Sequence, residues 1–503
     1  MNTRTEQFLY TAGSITVSRV RWRRPCPGVA GPPSCDDVAY LRFRGTRAAD
    51  VVLSVQPGNT GGPSSFDPVA RNVIATLERR GIGCEVWAME RRGQRLADGH
   101  GVGAAVAAGD YRVALDYYYR GATVGGERFA GWPPSRAARF LSGLGVRQVI
   151  DDWHFVHTSE LPDAVERARR LVIGGHSLGG PLANFYCQWE FPEGPGYRQV
   201  AGVIGLDGPV AVDALRVAGR AGSRALLAAA GRTVPPIAAA LRSRLLPATA
   251  SSGLLRLSEV ALLVTIAAVG ARFEPEAESE LPRMIPHSAT LDPALRLLYP
   301  GGGLRSWRLT NAAVFGSLFG RAAQGTTLSS DIGCYTGPVR TKRRLVTRLA
   351  NRPGIGEPVA ALLSRKPQYM PAHPRAAVAG WAEAADSISS FEDTVSAWAN
   401  GDFSYLNAYE SRRLRDEAMF AMVGGIPAGC EPLRHRDWEA MVPNITLAGD
   451  VWTPIRSRRA AAATEVDATG YSHQDILCGR QPDLVVDEIV QFVAVHAVAR
   501  RTA

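Results

Sequence analysis

Over the first two hundred positions, apolar residues gather in short runs that glycine or charge cuts off. Runs at 14–23, 38–44, 50–58 ("DVVLSVQPG"), 83–90 ("GCEVWAME"), 170–177 ("RLVIGGHS") and 200–208 ("VAGVIGLDG") are candidate strands. The third, fifth and sixth are β-branched and almost wholly apolar, the pattern of strands covered on both faces of a parallel sheet. The first twenty residues alternate polar and apolar, like another strand. Residues 67–81 have helical spacing, begin at an Asp-Pro and stop at Gly81. Strands alternating with helices predict an α/β domain with a mostly parallel central sheet flanked by helices.

After residue 208 the pattern changes. Residues 211–275 are rich in alanine, leucine and arginine at helical spacing, and 377–401 reads as another helix. No buried strand is predicted until 443–454 ("PNITLAGDVWTP"), and a second candidate follows at 463–470. The last helix, 482–501, carries an apolar stripe at 484, 485, 489, 492 and 493, with His496 on the same stripe. The expected organisation is therefore a first core part (1–208), a large, mainly helical insertion (209–442) and a second core part (443–503). Within the insertion, "VALLVTIAAVGA" (260–271) is too short to cross a bilayer as a helix, so it reads as a buried helix or an amphipathic cover. No transmembrane segment and no secretory apolar stretch are read, and a cytoplasmic location is the expectation.

Composition adds little to this picture. The 503 residues are 46% apolar and 21% charged, typical of a chain with a sizeable core. The formal charge of +10 comes almost entirely from arginine, since Lys342 and Lys366 are the only lysines. Without a basic block or an aromatic–basic motif, this charge reads as a solvated surface, and no nucleic-acid partner is expected. Seven scattered cysteines with no CxxC pair suggest neither a disulfide framework nor a metal site; Cys26 and Cys35 are read as solitary thiols.

The chemistry concentrates in "LVIGGHSLGG" (171–180), an apolar run that ends in glycines around His176 and Ser177. Gly175-His176-Ser177-Leu178-Gly179 fits G-x-S-x-G with a strand pattern before it and a helix pattern after it. A serine on so sharp a strand-to-helix turn is held in a strained conformation, and bulky neighbours would collide there. Gly175 and Gly179 relieve the crowding, and Gly180 lets the helix approach closely. Ser177 then lies near a helix N-terminus, where backbone N–H groups favour a developing oxyanion.

This turn resembles the nucleophile elbow of the α/β-hydrolase superfamily, particularly its lipases and esterases, over residues 40–208 and 443–503. The resemblance implies an α/β-hydrolase fold with a helical cap inserted between strands 6 and 7. It also implies partners in the chain order serine, acid, histidine. Asp450 in "ITLAGDVWTP" is the first choice for the acid. Asp207 in "VIGLDGP" is the alternative, because some lipases carry the acid one strand earlier; its other reading is a turn former. His473 in "ATGYSHQDIL" takes the histidine position. Of the other histidines, His176 neighbours the serine but points elsewhere, His496 reads as packed core, and His154 and His157 read as surface positions on a helix. The resemblance places the oxyanion donors at the backbone N–H of Leu178 and of Asn59, although Pro57-Gly58-Asn59 departs from the usual His-Gly. "MERRGQRLAD" (89–98) resembles the turn after the fourth strand, with a charged surface turn as its plain reading. Tyr117, Tyr118 and Tyr119 could line a pocket or pack beneath the cap.

The resulting expectation is a serine hydrolase of carboxylic esters, acting on a small and preferably hydrophobic acyl substrate, with no metal or nucleotide cofactor. Two alternatives stay open: an acyltransferase or thioesterase with the same triad, and a non-catalytic hydrolase-like scaffold that binds a ligand.

Overall fold

A computed structural model describes residues 3–498 except 134–135, 211–247, 250–256, 286, 288–291, 293–294, 296–298, 300–302, 325, 327–328, 343–366, 423–424 and 452–462. Nine strands form the main sheet: β1 (Arg4–Ala12), β2 (Ile15–Arg23), β3 (Asp37–Arg44), β4 (Val51–Gln56), β5 (Cys84–Glu90), β6 (Leu171–His176), β7 (Gly202–Leu206), β8 (Asn444–Ala448) and β9 (Ala463–Asp467). Their order across the sheet is β1-β2-β3-β5-β4-β6-β7-β8-β9. The first three neighbouring pairs, as far as β3–β5, are antiparallel. From β5 onward every pair is parallel.

Of the parallel strands, β4, β6 and β7 carry nearly unbroken apolar runs, because helices cover both faces of the sheet there. On one face, α1 (Asp67–Arg79) and the C-terminal helix Leu484–Val493 share a core with Leu53, Val86, Val172 and Ile204. On the other, α4 (Val146–Glu160) and α5 (Gly179–Gln188) pack over Val52, Ile173 and Val203. The predicted strands and the helix at 67–81 thus form within a few residues of their expected limits. The last helix is regular over Leu484–Val493 and continues as a π-turn to Val498, with His496 half-buried against the Phe492 ring.

The chain between β7 and β8 builds a separate apolar core. Its centre is α6 (Leu257–Phe273), in which Ala261 to Ala271 are all buried. No helix among the described residues is long and apolar enough to cross a membrane. α6 is apolar on all sides because α7 (Asn311–Phe319), α8 (Phe391–Trp398) and the earlier helix α2 (His100–Ala108) surround it. Each leucine, isoleucine or valine so enclosed contributes about 1.5–3 kcal/mol. Tyr117 and Tyr118, on α3 (Arg112–Tyr119), join this core, and their hydroxyls bond to the Asp98 side chain (2.9 Å) and backbone carbonyl (2.7 Å). They pack; they do not stand free.

The helix expected over 377–401 is confined to Phe391–Trp398. Trp381–Ala382 instead pairs as a short strand with Cys334–Tyr335, and Ser390 caps the helix by accepting from Asp393 N. The apolar spacing of the longer stretch comes from two unlike elements in succession. Most of the stretch 211–275, read as helical, lies outside the described residues; α6 is its described part.

His154 and His157 are on a helix, as expected, but they are not surface residues. Both lie on α4 and point into the core, His157 fully buried. His157 Nδ1 and His154 Nδ1 both meet the Tyr186 hydroxyl (3.1 and 3.0 Å), and His157 Nε2 meets Ser54 Oγ on β4 (2.8 Å). Burial pushes the His154 pKa down to about 4 and that of His157 well below the ordinary histidine value. Both are therefore neutral in the fold but protonate near pH 6.5 once unfolded. Their stabilisation is complete above about pH 6.5 and is lost as pH falls toward the folded values. Between pH 6.5 and 5 each histidine should cost about 2 kcal/mol. Urea unfolding at the two pH values checks this: His157→Gln should lose about 2 kcal/mol less stability over that interval than the parent.

Candidate functional site

The serine turn forms where β6 meets α5. Ser177 has φ 53°, in the left-handed region that side chains other than glycine rarely adopt. Its N–H bonds to Leu206 O on β7 (3.0 Å), which pins the turn to the neighbouring strand. A Cβ on Gly175 would lie 2.4 Å from the Gly179 carbonyl carbon, and one on Gly179 would lie 2.0 Å from Gln56 O. One on Gly180 would lie 2.1 Å from Gly208 O. The glycines are there because backbone from β4, β7 and α5 converges on the serine. Gly179→Ala should therefore destabilise the protein by roughly 3 kcal/mol, since main chain and not a flexible side chain must move. A urea unfolding midpoint measures the loss.

His473 lies in the loop after β9. Its Nδ1 is 2.5 Å from Asp207 Oδ2, and the Asp207 side chain is fully buried at the end of β7. The other oxygen, Oδ1, accepts from Gly449 N (2.9 Å), so this carboxylate is fixed from two sides. Asp207 also has positive φ, 39°, a second strained turn beside the first. A carboxylate at Nδ1 holds the proton there and leaves Nε2 free to accept. Among the described residues the Ser177 hydroxyl makes no hydrogen bond, to His473 or to any other group. Such contacts commonly tighten only when substrate is bound.

Asp450, the first choice for the acid, does not meet His473. Its Oδ2 pairs with Arg321 Nη2 (2.7 Å), and its Oδ1 accepts from Gly470 N (2.9 Å). Its own N–H bonds to Tyr471 O (2.8 Å). Arg321 Nη1 donates to Gly470 O (2.8 Å), so aspartate and arginine together clasp the loop that carries His473. The carboxylate that meets the imidazole belongs to the alternative, Asp207, one strand nearer the serine. Arg321 comes from the chain between β7 and β8, and sequence spacing around Asp450 gives no sign of it.

His176 is buried, and its Nε2–H donates to the His473 carbonyl (2.8 Å). The two rings lie 4.3 Å apart. Burial, with the neighbouring His473, pushes the His176 pKa well below the usual value and keeps it neutral. The loop after β4 passes on the other side: a Cβ on Gly58 would be 2.9 Å from Ser177 Cβ and 3.2 Å from His176 Nδ1. Gly58 thus abuts the serine, and Asn59 beyond it is exposed. Leu178, the residue after the serine, is buried at the start of α5.

Sequence reading missed two residues here. Arg91 donates to Gly58 O (2.8 Å) and to Pro57 O, and pairs with Glu410 at 2.6 Å. Glu410 also accepts from Thr60 N. "MERRGQRLAD" is therefore no simple surface turn: Arg91 and Arg92 are buried, and Arg92 pairs with Asp152. Only burial, which spacing does not reveal, separates a clamp of this kind from an exposed charge.

No protein-family model matches the chain, and no curated protein matches it. Solved structures are similar at low identity. A haloalkane dehalogenase loop variant from Bradyrhizobium elkanii has 10% identity and TM-score 0.34, over 96% of this chain and 99% of that one. Epoxide hydrolase A from Mycobacterium thermoresistibile has 12% identity and TM-score 0.32, over 98% and 99%. A lipase in its open form has 11% identity and TM-score 0.30, also over 98% and 99%. The assignment stands on the sheet itself: an order that crosses once at β5-β4, parallel strands from there on, and a serine on the turn after the central strand β6. The chain thus has an α/β fold with the mostly parallel sheet and serine turn expected from its sequence.

Proposed function

We propose that this protein is a serine hydrolase of carboxylic esters, with Ser177 as nucleophile, His473 as general base and Asp207 as the acid. The observation that carries the reading is the buried Asp207–His473 pair, at 2.5 Å, in the loop layer that also holds the strained Ser177 turn. In this reading Ser177 Oγ attacks the acyl carbon as His473 Nε2 takes its proton. Asp207 keeps the imidazole in the tautomer with Nδ1–H and stabilises the imidazolium. The backbone N–H groups of Leu178 and Asn59 receive the oxyanion, Asn59 on a loop that Arg91 and Glu410 hold by its carbonyls and by Thr60 N. His473 returns the proton to the leaving alcohol, and water then hydrolyses the acyl-enzyme by the same steps in reverse.

The core parts 1–208 and 443–503 carry these residues, and the insertion 209–442 acts as the cap. The cap favours a hydrophobic acyl or alcohol group, and the reaction takes place without a metal or nucleotide. The test is a rapid-mixing experiment with p-nitrophenyl acetate, butyrate and octanoate. An initial burst of up to one p-nitrophenolate per protein chain is expected for each ester whose acyl-enzyme forms faster than water hydrolyses it. Release of p-nitrophenolate with no burst, unchanged in a Ser177→Ala variant, would overturn the assignment.

A further inference from the structure

A large polar groove opens between the N-terminal hairpin and the insertion, apart from Ser177. Its volume is about 1190 Å³, and its lining includes Gln7, Arg19, Arg21, Ser34, Arg95 and Asp402. Arg19 and Arg21 are two residues apart on β2 and share one face of the sheet. Arg95 reaches the same groove from the turn after β5.

Charges in this corner do not balance. Arg19 is satisfied: its Nε meets Glu90 Oε2 at 2.9 Å, and its terminal nitrogens meet both oxygens of Asp402 at 2.6 Å. Arg21 has only a 3.5 Å contact with Gln7 Oε1, and its buried Nε has no partner. Arg95 has only a 3.6 Å approach to Glu90 Oε1. Three guanidinium groups thus face two carboxylates, both held mainly by Arg19. Asp37, on the neighbouring strand β3, lies directly opposite Arg23. Elsewhere in the groove Asp67 and Asp393 bind Arg71, Asp98 binds Tyr117, Glu127 lies 3.6 Å from His100, and Glu392 is exposed at the start of α8. A half-buried guanidinium with an orphaned N–H is costly unless an acceptor reaches it. Arg21, with that orphaned N–H, and the weakly held Arg95 beside one concave space provide the forked donors that carboxylate and phosphate groups match.

We propose that this groove is a second ligand site, in which Arg21 and Arg95 bind the oxyanion of a small carboxylated or phosphorylated molecule. The site is independent of the ester chemistry and does not need Ser177. Inorganic phosphate and succinate are the probes, each titrated at fixed ionic strength against chloride and followed by thermal unfolding and calorimetry. At least one of them should raise the unfolding temperature with a saturating dose dependence; the stronger of the two identifies a tetrahedral or a planar group. Arg21→Gln and Arg95→Gln should each weaken that binding about tenfold or more. Arg21→Lys and Arg95→Lys keep the charge, and so serve if a glutamine variant does not fold; each should weaken binding by loss of the forked donor. The proposal is overturned if neither anion does more than chloride, or if binding is the same in the parent and in every folded variant.

Discussion

Asp207→Asn should lower kcat/KM on a simple p-nitrophenyl ester by about 10⁴-fold, whereas Asp450→Asn should leave it within about tenfold of the parent. The difference follows from where each carboxylate points. Asp207 is fully buried with one oxygen on His473 Nδ1 and the other on Gly449 N. An asparagine there can keep the Gly449 contact through its amide oxygen. Its NH2 group then faces Nδ1, and the imidazole is forced into the tautomer whose proton sits on Nε2. That nitrogen can no longer take a proton from Ser177. Asp450→Asn loses the ion pair with Arg321 and keeps the bond from Gly470 N. Its effect should appear as about 1–3 kcal/mol of stability, because Arg321 still holds Gly470 O. Steady-state kinetics and urea unfolding on both variants separate the two roles. Equal losses of activity would mean that the acid is shared or misassigned.

Ser177→Ala should reduce ester turnover by about 10⁴-fold or more with little change in stability. Alanine at φ 53° bears the same backbone strain as serine and fills nearly the same space, so the turn persists without its hydroxyl. A second substitution shows that the strain is real. Ser177→Gly should be just as inactive and yet more stable than Ser177→Ala by about 1 kcal/mol, since glycine takes positive φ without the Cβ clash. Turnover of p-nitrophenyl butyrate, beside the unfolding midpoints of the two variants, measures both effects. A Ser177→Gly protein less stable than Ser177→Ala would show that the turn is not strained as described.

The parallel strands and the serine turn were legible in the sequence because both depend on local rules. Buried strands require apolar runs, and a left-handed serine between converging backbones requires glycine at 175, 179 and 180. The acid was legible only as a choice between two aspartates at strand ends. Local sequence favoured Asp450, at the end of the later strand; what it could not show is Arg321, which arrives from about 130 residues away in the chain and claims Asp450. Arg91, Glu410, His154 and His157 were misread or missed for a related reason. Their roles come from partners across the fold, and a charged or imidazole side chain looks the same in sequence whether it faces water or a buried carbonyl. The helix read over 377–401 failed differently: a short strand at Trp381–Ala382 and a helix from Phe391 follow each other with apolar spacings that merge into one pattern.

Labelling with a fluorophosphonate, followed by peptide mapping, tests the central claim most directly. The reagent reacts with a serine only when a base and an oxyanion site activate it. The expected result is one adduct per chain, on Ser177, lost in Ser177→Ala and strongly slowed in Asp207→Asn. An adduct on another residue, or an unmodified Ser177 in protein that still hydrolyses small esters, would contradict it.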